Sequence, residues 1–444
     1  MSDDSPQQKP VRTPLGVFDI QPDDQLYYTF IKKVVRHRCR QSGFRRITTP
    51  TFEYTDLYER AMGADSPIVA DELYSFEDDK GRSLTLKPDA TVGIARSYIK
   101  NNMHELAQPV ELYYIEPQFR YRKPGRGYFR QSWHFGFEVL GENDPALDAQ
   151  IILMGLKILE DLGISHLFKV KINNIGSQES RAAYIEELRN FYIGKERSLP
   201  ESERHFVETN PIRLLHSEDE DAQILAQLAP KFENYRSKED IAFHDQVKVY
   251  LDEIGVNYVE DKNLFRPHGY YSQTVFEFVV DPKNSDTSIG GGGRYDELVE
   301  NLGGPETPAV GATFNMERII HHMRREKLMV PSKDNLHLFV AQLGDDAKKK
   351  SLSLLWELRE RGIKTVGALG KGSMKEQIRM AQDFKVPYML ILGITEVREG
   401  TIIIRGMEKG QQKHVPFEDV VDEVAKLIGE DQLDKYSPGE VVFE

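Results

Sequence analysis

A single cysteine, Cys39, stands among 444 residues, so no disulfide can close within the chain, and a reducing compartment, the cytoplasm, is its expected address. Its place inside a helical pattern reads as packing rather than as a nucleophile. No apolar run reaches the roughly 18 residues that a membrane-crossing helix needs, and the polar opening MSDDSPQQKPVRTP lacks the apolar centre of a signal peptide. Basic residues are outnumbered: 58 Lys and Arg against 71 Asp and Glu leave a net charge of −13. That balance excludes a general nucleic-acid binder, although one basic groove on an acidic body can still hold a specific RNA. Solenoid repeats and low-complexity tracts are missing. None of the 12 histidines has a His or Cys partner at zinc spacing, so no metal site is expected, and His321–His322 read as a solvated helix end.

What is present is ordinary globular composition, 39% hydrophobic and 29% charged, with length for two or three domains. Leu26, Phe30, Val34 and Val35 recur at helical spacing and predict a helix from about Asp23 to Ser42. Arg45–Glu53 is an extended segment whose Pro50 belongs at an edge or interface. Leu73–Phe76 and Ser83–Leu86 predict a hairpin, and the phrase LKPDAT starts a helix with Asp89 or Thr91 at its positive end. Two strands, Val110–Arg122 and Arg130–Leu140, flank the basic loop KPGRGYF, and an amphipathic helix follows over Pro145–Leu162. From about Gln178 to His244 the chain turns helical, charged and poor in strands, which predicts an inserted module. After a linker at Pro331–Asn335, strands and helices alternate to the end, as in a separate α/β domain.

The stretch NLFRPHGYYSQTVFEFVV (Asn263–Val280) sets an arginine and two tyrosines just ahead of a strand, and GGGGRYD (Gly290–Asp296) follows it. Glycines there allow close approach of a ligand or a neighbouring strand. Polar-aromatic clusters at strand ends suit a pocket floor built on a sheet; a hairpin with aromatic cross-strand pairs accounts for the same pattern.

At these residues the chain resembles the histidyl-tRNA synthetase family of class II aminoacyl-tRNA synthetases. GFRRITTPTFE (Gly43–Glu53) is similar to class II motif 1, FRYRKPGRGYFRQSWHFGFEVLG (Phe119–Gly141) to motif 2 and GATFNMERI (Gly311–Ile319) to motif 3. LFRPHGYY and GGGGRYDEL resemble the two signatures of the histidine enzyme, and LGKGSMKEQIRMAQ with YMLILG its anticodon-binding domain. The resemblance implies an α/β architecture: an α+β catalytic core over residues 1–330, with the class II antiparallel sheet flanked by helices. It further implies that the helical insertion, about 178–244, lies over the tRNA acceptor arm, and that residues 335–444 form an α/β anticodon-binding domain. A homodimer meeting at the motif 1 proline is implied too.

By position, Arg120, Arg266 and Arg318 are the catalytic cations that would face the phosphates of ATP, which would arrive with Mg2+. Arg122, Gly311 and Glu317 join Arg120 and Arg318 as nucleotide contacts. Asp89, Thr91, His134, Glu138, Tyr270 and Tyr271 would hold histidine; the alternative for one of the twin tyrosines is strand packing, because neighbours on a strand face opposite sides. Several positions depart from the family pattern. Arg122 stands where motif 2 has an acid, Tyr128 for a loop arginine, His134 for a glutamine and Asn315 for a glycine. Pro267, His268 and Gly269 replace Gly-Leu-Asp, Asp89 a glutamate and Lys87 an arginine. Two functions compete on this reading. One is a histidine–tRNA ligase working through histidyl-adenylate. The other is a histidine- or tRNA-sensing paralogue, comparable to the regulatory subunit of ATP phosphoribosyltransferase, although that subunit typically lacks the anticodon-binding domain.

Overall fold

The computed structural model describes residues 11 to 434, other than 64–65, 126, 218, 267–268, 281–287, 331–334 and 371. It divides into two compact units, Met1–Val330 and Pro331–Glu444. The first unit opens with α1 (Pro22–Gln41), β1 (Arg45–Arg46), β2 (Phe52–Tyr54), α2 (Thr55–Met62), β3 (Tyr74–Glu77), β4 (Ser83–Leu86) and α3 (Ala90–Lys100). It continues through β5 (Val110–Phe119), β6 (Gln131–Leu140), α4 (Pro145–Asp161) and β7 (Lys169–Asn174). Four helices follow: α5 (Gln178–Tyr192), α6 (Phe206–Thr209), α7 (Glu220–Leu228) and α8 (Lys238–Glu253). The unit closes with β8 (Tyr258–Glu260), β9 (Ser272–Val279), β10 (Ser288–Arg294), α9 (Leu298–Asn301), β11 (Ala309–Asn315) and α10 (Met316–Arg325).

An eight-stranded sheet in the order β1-β5-β6-β11-β10-β9-β7-β8 organises this unit, antiparallel except for the β1/β5 and β7/β8 pairs. Alternation along the strands separates core from site. Phe135, Phe137 and Val139 on β6 pack with Phe276 and Phe278 of β9 against α1, α4 and α10. The opposite face of β6 carries His134, Gly136 and Glu138. Helix α1 earns its place in that core through Tyr28, Ile31, Val35 and Cys39, buried at three- and four-residue spacing. Pro22 at its start and acids in its first turn suit the helix dipole. Burial pushes the Cys39 thiol up to about 12, so it is inert packing.

The four-helix insertion between β7 and β8 has a small core of its own around Tyr184, Leu188, Tyr192 and Phe232. A three-stranded sheet, β2-β4-β3, contains the expected hairpin, with β2 as an added edge. The second unit runs β12 (Leu338–Gln342), α11 (Asp345–Glu360), β13 (Thr365–Gly367), α12 (Met374–Asp383) and β14 (Tyr388–Leu392). It then adds α13 (Ile394–Glu399), β15 (Thr401–Gly406), β16 (Gln412–Pro416) and α14 (Val420–Ile428), its sheet ordered β13-β12-β14-β15-β16. Helices α2 and α13 and strand β16 were not foreseen. They are short, and β16 leaves four of its five residues exposed, so no apolar alternation announces it.

Candidate active site

A cavity of about 550 Å³ opens over the polar face of the sheet, and Arg120, Arg266 and Arg318 all line it. Arg120, just beyond β5, donates from Nε to the Pro88 carbonyl at 2.8 Å. Its terminal nitrogens lie 3.8 Å from Glu72 and 4.0 Å from Asp89. Arg266 precedes β9 and pairs with Glu277 at 2.7 Å, while its Nε is buried and unpartnered among the described residues. Burial works against its charge, but Tyr271 and Glu277 outweigh that and hold its pKa above the ordinary value. Arg318 sits in the first turn of α10, donates to the Gly127 carbonyl at 3.2 Å and to that of Ser288, and lies over the Tyr128 ring at 4.3 Å. Arg122 lines the same cavity, pairs with Glu72 at 3.0 Å and lies 5.6 Å from the Tyr128 ring.

Beside the cavity is a buried cluster. Glu138 accepts from Thr91 Oγ1 at 2.8 Å and from the Tyr295 hydroxyl at 2.6 Å. Burial pushes its carboxyl up to about 8, against the pull of those two bonds. Asp89 caps α3 by accepting from the Val92 N–H at 3.3 Å, and also accepts from the Tyr270 hydroxyl at 3.4 Å. Burial raises its pKa too, with Arg120 opposing. An imidazole ring, with one donor and one acceptor nitrogen, suits a carboxyl such as Glu138, and an ammonium group suits Asp89 and Thr91.

His134 joins cluster to cavity. Its Nε2 lies 2.9 Å from Ser132 Oγ and 3.3 Å from Asn315 Nδ2, and its Nδ1 lies 3.4 Å from Thr313 Oγ1. Burial, and then Arg120, Arg122 and Arg318, hold its pKa well below the usual range, so the ring is neutral.

Gly311 and Glu317 stand elsewhere than expected. A side chain at Gly311 would strike the Glu138 carboxylate and come within 3.0 Å of the Phe137 carbonyl, so this glycine makes room for the acid and does not line the cavity. Glu317 turns into the protein, accepting from the Tyr28 hydroxyl at 2.9 Å and the Trp133 N–H at 3.0 Å, and ties α10 to α1 and β6. Tyr270 and Tyr271 do not diverge: β9 starts only at Ser272, both rings are buried, and they lie 4.8 Å apart. His321 is exposed, but His322 is half-buried: its ring packs on Phe168, and burial lowers its pKa to about 4.

Of the departures, Pro267 and His268 lie outside the described residues. At Gly269 a Cβ would meet the Met62 carbonyl at 2.6 Å, so the local chain leaves no room for a carboxylate. Lys87 is spent on a buried pair with Glu116 and on the Thr49 carbonyl. Reading the sequence missed Tyr295 as a site residue, although it stands in GGGGRYD; its buried hydroxyl on Glu138 is what reveals it. Arg294, next to it, does other work: fully buried, it pairs with Asp148 at 2.7 Å and donates to the Asp144 carbonyl at 2.9 Å.

An antiparallel sheet that sets guanidinium groups around one cavity, beside a buried cluster of acids and hydroxyls, fits a class II aminoacyl-tRNA synthetase catalytic unit. The chain belongs to the histidyl-tRNA synthetase family: the family model for histidyl-tRNA synthetase matches residues 16–319, and that for an anticodon binding domain matches residues 337–427. It is 36% identical to the histidine–tRNA ligase of Bacillus velezensis over 425 residues, 94% of this chain and 98% of the relative. Its identity to that of Desulforamulus reducens is also 36%, over 92% of this chain and 97% of the relative. The crystal structure of apo Staphylococcus aureus histidyl-tRNA synthetase matches with a TM-score of 0.77 at 30% identity, over 93% of this chain and 99% of that one. A Bacillus halodurans structure titled as an ATP phosphoribosyltransferase regulatory subunit/histidyl-tRNA synthetase matches with a TM-score of 0.60 at 19% identity, and shares the fold.

Proposed function

We propose that this protein is a histidine–tRNA ligase. It activates histidine with ATP and then passes the histidyl group to the 3′ end of its tRNA. The observation that carries the reading is the convergence of Arg120, Arg266 and Arg318 on one cavity beside Glu138, Asp89 and Thr91. In the activation step a histidine carboxylate oxygen attacks the α-phosphorus, the bond to the β-phosphate bridging oxygen breaks, and pyrophosphate leaves with the electron pair. Negative charge gathers on the phosphate oxygens, and fixed guanidinium groups meet it without reorganising. Arg120, 4.0 Å from Asp89, and Arg266, 5.6 Å from the Tyr271 ring, would hold the α-phosphate, and Arg318 the distal phosphates.

The Nε atoms of Arg122 and Arg266, without a partner among the described residues, fit a polyanion. Arg122 offers the cation that Tyr128 does not, from a neighbouring position on the same cavity wall. Glu277 also lines the cavity, with one oxygen unpartnered among the described residues, and would face Mg2+ carried in by the nucleotide. Mg2+ bound there would neutralise phosphate charge.

On the amino-acid side, Glu138 and Tyr295 would select the imidazole, Asp89 and Thr91 the ammonium group, and Tyr271 would close the pocket. The second unit, with the anticodon-binding family's pattern, would take the anticodon arm. A homodimer is part of this reading, supported by exposed aromatics on the three-stranded sheet beside the exposed Pro50. The cytoplasm is the address we assign, on the single reduced and buried Cys39.

Histidine-dependent exchange of pyrophosphate into ATP tests the ligase. Exchange with the intact protein, lowered about a hundredfold or more by Arg266→Gln, supports it. A protein that binds histidine yet exchanges nothing would be a sensor instead.

A further inference from the structure

His134 and Asn315 stand directly opposite each other on β6 and β11, and both depart from the residues the family pattern would place there. The surroundings of Asn315 fix which way its amide points. Its Oδ1 accepts from the Arg318 N–H at 2.9 Å, which caps α10. The other half of the amide, the NH2, is therefore the half that lies 3.3 Å from His134 Nε2. An NH2 can only donate, so Nε2 must be the accepting nitrogen, and the proton of the neutral ring sits on Nδ1. Nδ1 faces Thr313 Oγ1 across 3.4 Å, a long contact that a better acceptor would displace. Ser132, His134, Thr313 and Asn315 all line the cavity, so a ligand can reach that N–H.

We propose that Asn315 is a positioning residue for His134: its amide, anchored by capping α10, holds the ring as the Nδ1–H tautomer. His134 thereby presents one fixed, uncharged donor to the carboxylate of the amino-acid substrate. The two departures then form a single unit, with the bulk at Asn315 serving the orientation of His134. The proposal rests on the ligase reading for the identity of the amino acid, and deepens it by naming how its carboxylate is oriented. The charged groups around the ring explain why a neutral donor suits this place. Arg120 and Arg122 lie beyond the end of β5, Arg318 on α10, and Glu116 stands directly opposite His134 on β5, already engaged by Lys87. A protonated ring would add a fourth cation to three guanidinium groups.

Asn315→Asp is the decisive substitution, because it keeps an oxygen for the Arg318 N–H and removes only the NH2. Its carboxylate draws a proton onto Nε2. Below the new titration the ring is an imidazolium with Nδ1–H intact; above it, Nδ1 becomes bare and repels a carboxylate. Histidine binding, measured by calorimetry from pH 5.5 to 8.5, should therefore be near wild type at the acid end and weaken about tenfold relative to wild type at the alkaline end. In a His134→Gln background the same change should leave a ratio that does not vary with pH. Equal ratios in both backgrounds, or a flat ratio with His134 present, would overturn the proposal. Long-range 1H–15N spectra of histidine-labelled wild-type protein give a second readout that needs no ligand: the Nδ1–H pattern for His134 supports the proposal and the Nε2–H pattern sinks it. Pyrophosphate exchange by the wild type tests the ligase reading separately, since the coupling is read from binding and tautomer alone.

Discussion

Glu138 holds a proton that the unfolded chain would give up. Its folded pKa, pushed up to about 8 by burial, lies above its ordinary value of 4.5. Between those two pH values the folded state binds more protons than the unfolded one, so stability falls as pH rises. The contribution is fully present below 4.5 and lost as pH climbs through 8. Glu138→Gln keeps the size of the side chain and removes the titration. Its unfolding free energy should fall less than that of wild type between pH 5 and 8, the gap widening by about 1.4 kcal/mol per pH unit. Parallel curves for the two proteins would show that Glu138 is ionised in the free protein. At this scale the sequence shows which side chains are available, but not where they point. GGGGRYD and LFRPHGYY each contain one arginine, and nothing in either motif separates the cavity-lining Arg266 from the wholly structural Arg294. Burial and partners separate them.

Among elements, Arg294 pins β10 to the start of α4. Removing it leaves Asp148 buried without its counter-charge, which costs about 3–5 kcal/mol. Arg294→Leu should lower the denaturation midpoint of the first unit accordingly, and adding Asp148→Leu should recover much of the loss. If the single and double variants were equally unstable, the pairing would not be what holds the elements together.

The elements themselves were largely legible, because α1, α4, β5, β6 and β9 carry apolar residues at helical or alternating spacing. The organising stretch was legible in the same way, since Thr274–Val280 alternates as half-buried strands do. The short α2, α13 and β16 have no such periodicity to read. The positions of Gly311 and Glu317 misled for a related reason: motif 3 fixes where the strand and helix run, whereas the packing of α1 turns Glu317 inward. Tyr270 and Tyr271 stand ahead of β9, outside the strand's alternation, and both rings are buried side by side.

At the scale of the whole molecule, Phe52, Tyr54 and Phe76 crowd one exposed surface, with the rings of Phe52 and Phe76 6.2 Å apart. Monomeric proteins seldom leave such a patch uncovered. The proposed homodimer should appear as a mass of twice 51.0 kDa by light scattering. Phe52→Lys should shift it toward the monomer, while an unchanged mass would move the interface elsewhere.

The insertion reaches the Tyr271–Gln273 segment, which borders the proposed amino-acid pocket, from both of its ends. Arg181, on the entry helix α5, donates to the Tyr271 carbonyl. Asp240, on the exit helix α8, accepts from Gln273 Nε2 at 2.7 Å, and Gln273 is held in the left-handed region with φ 47°. An RNA stem leaning on those helices would thus pull on the backbone of the proposed histidine pocket without passing through the sheet. Cargo and amino acid should sense each other: tRNA should change the affinity for histidine several-fold in the wild-type protein, and Arg181→Ala should blunt that response. Such a protein would weigh one substrate by the presence of the other before any bond is made.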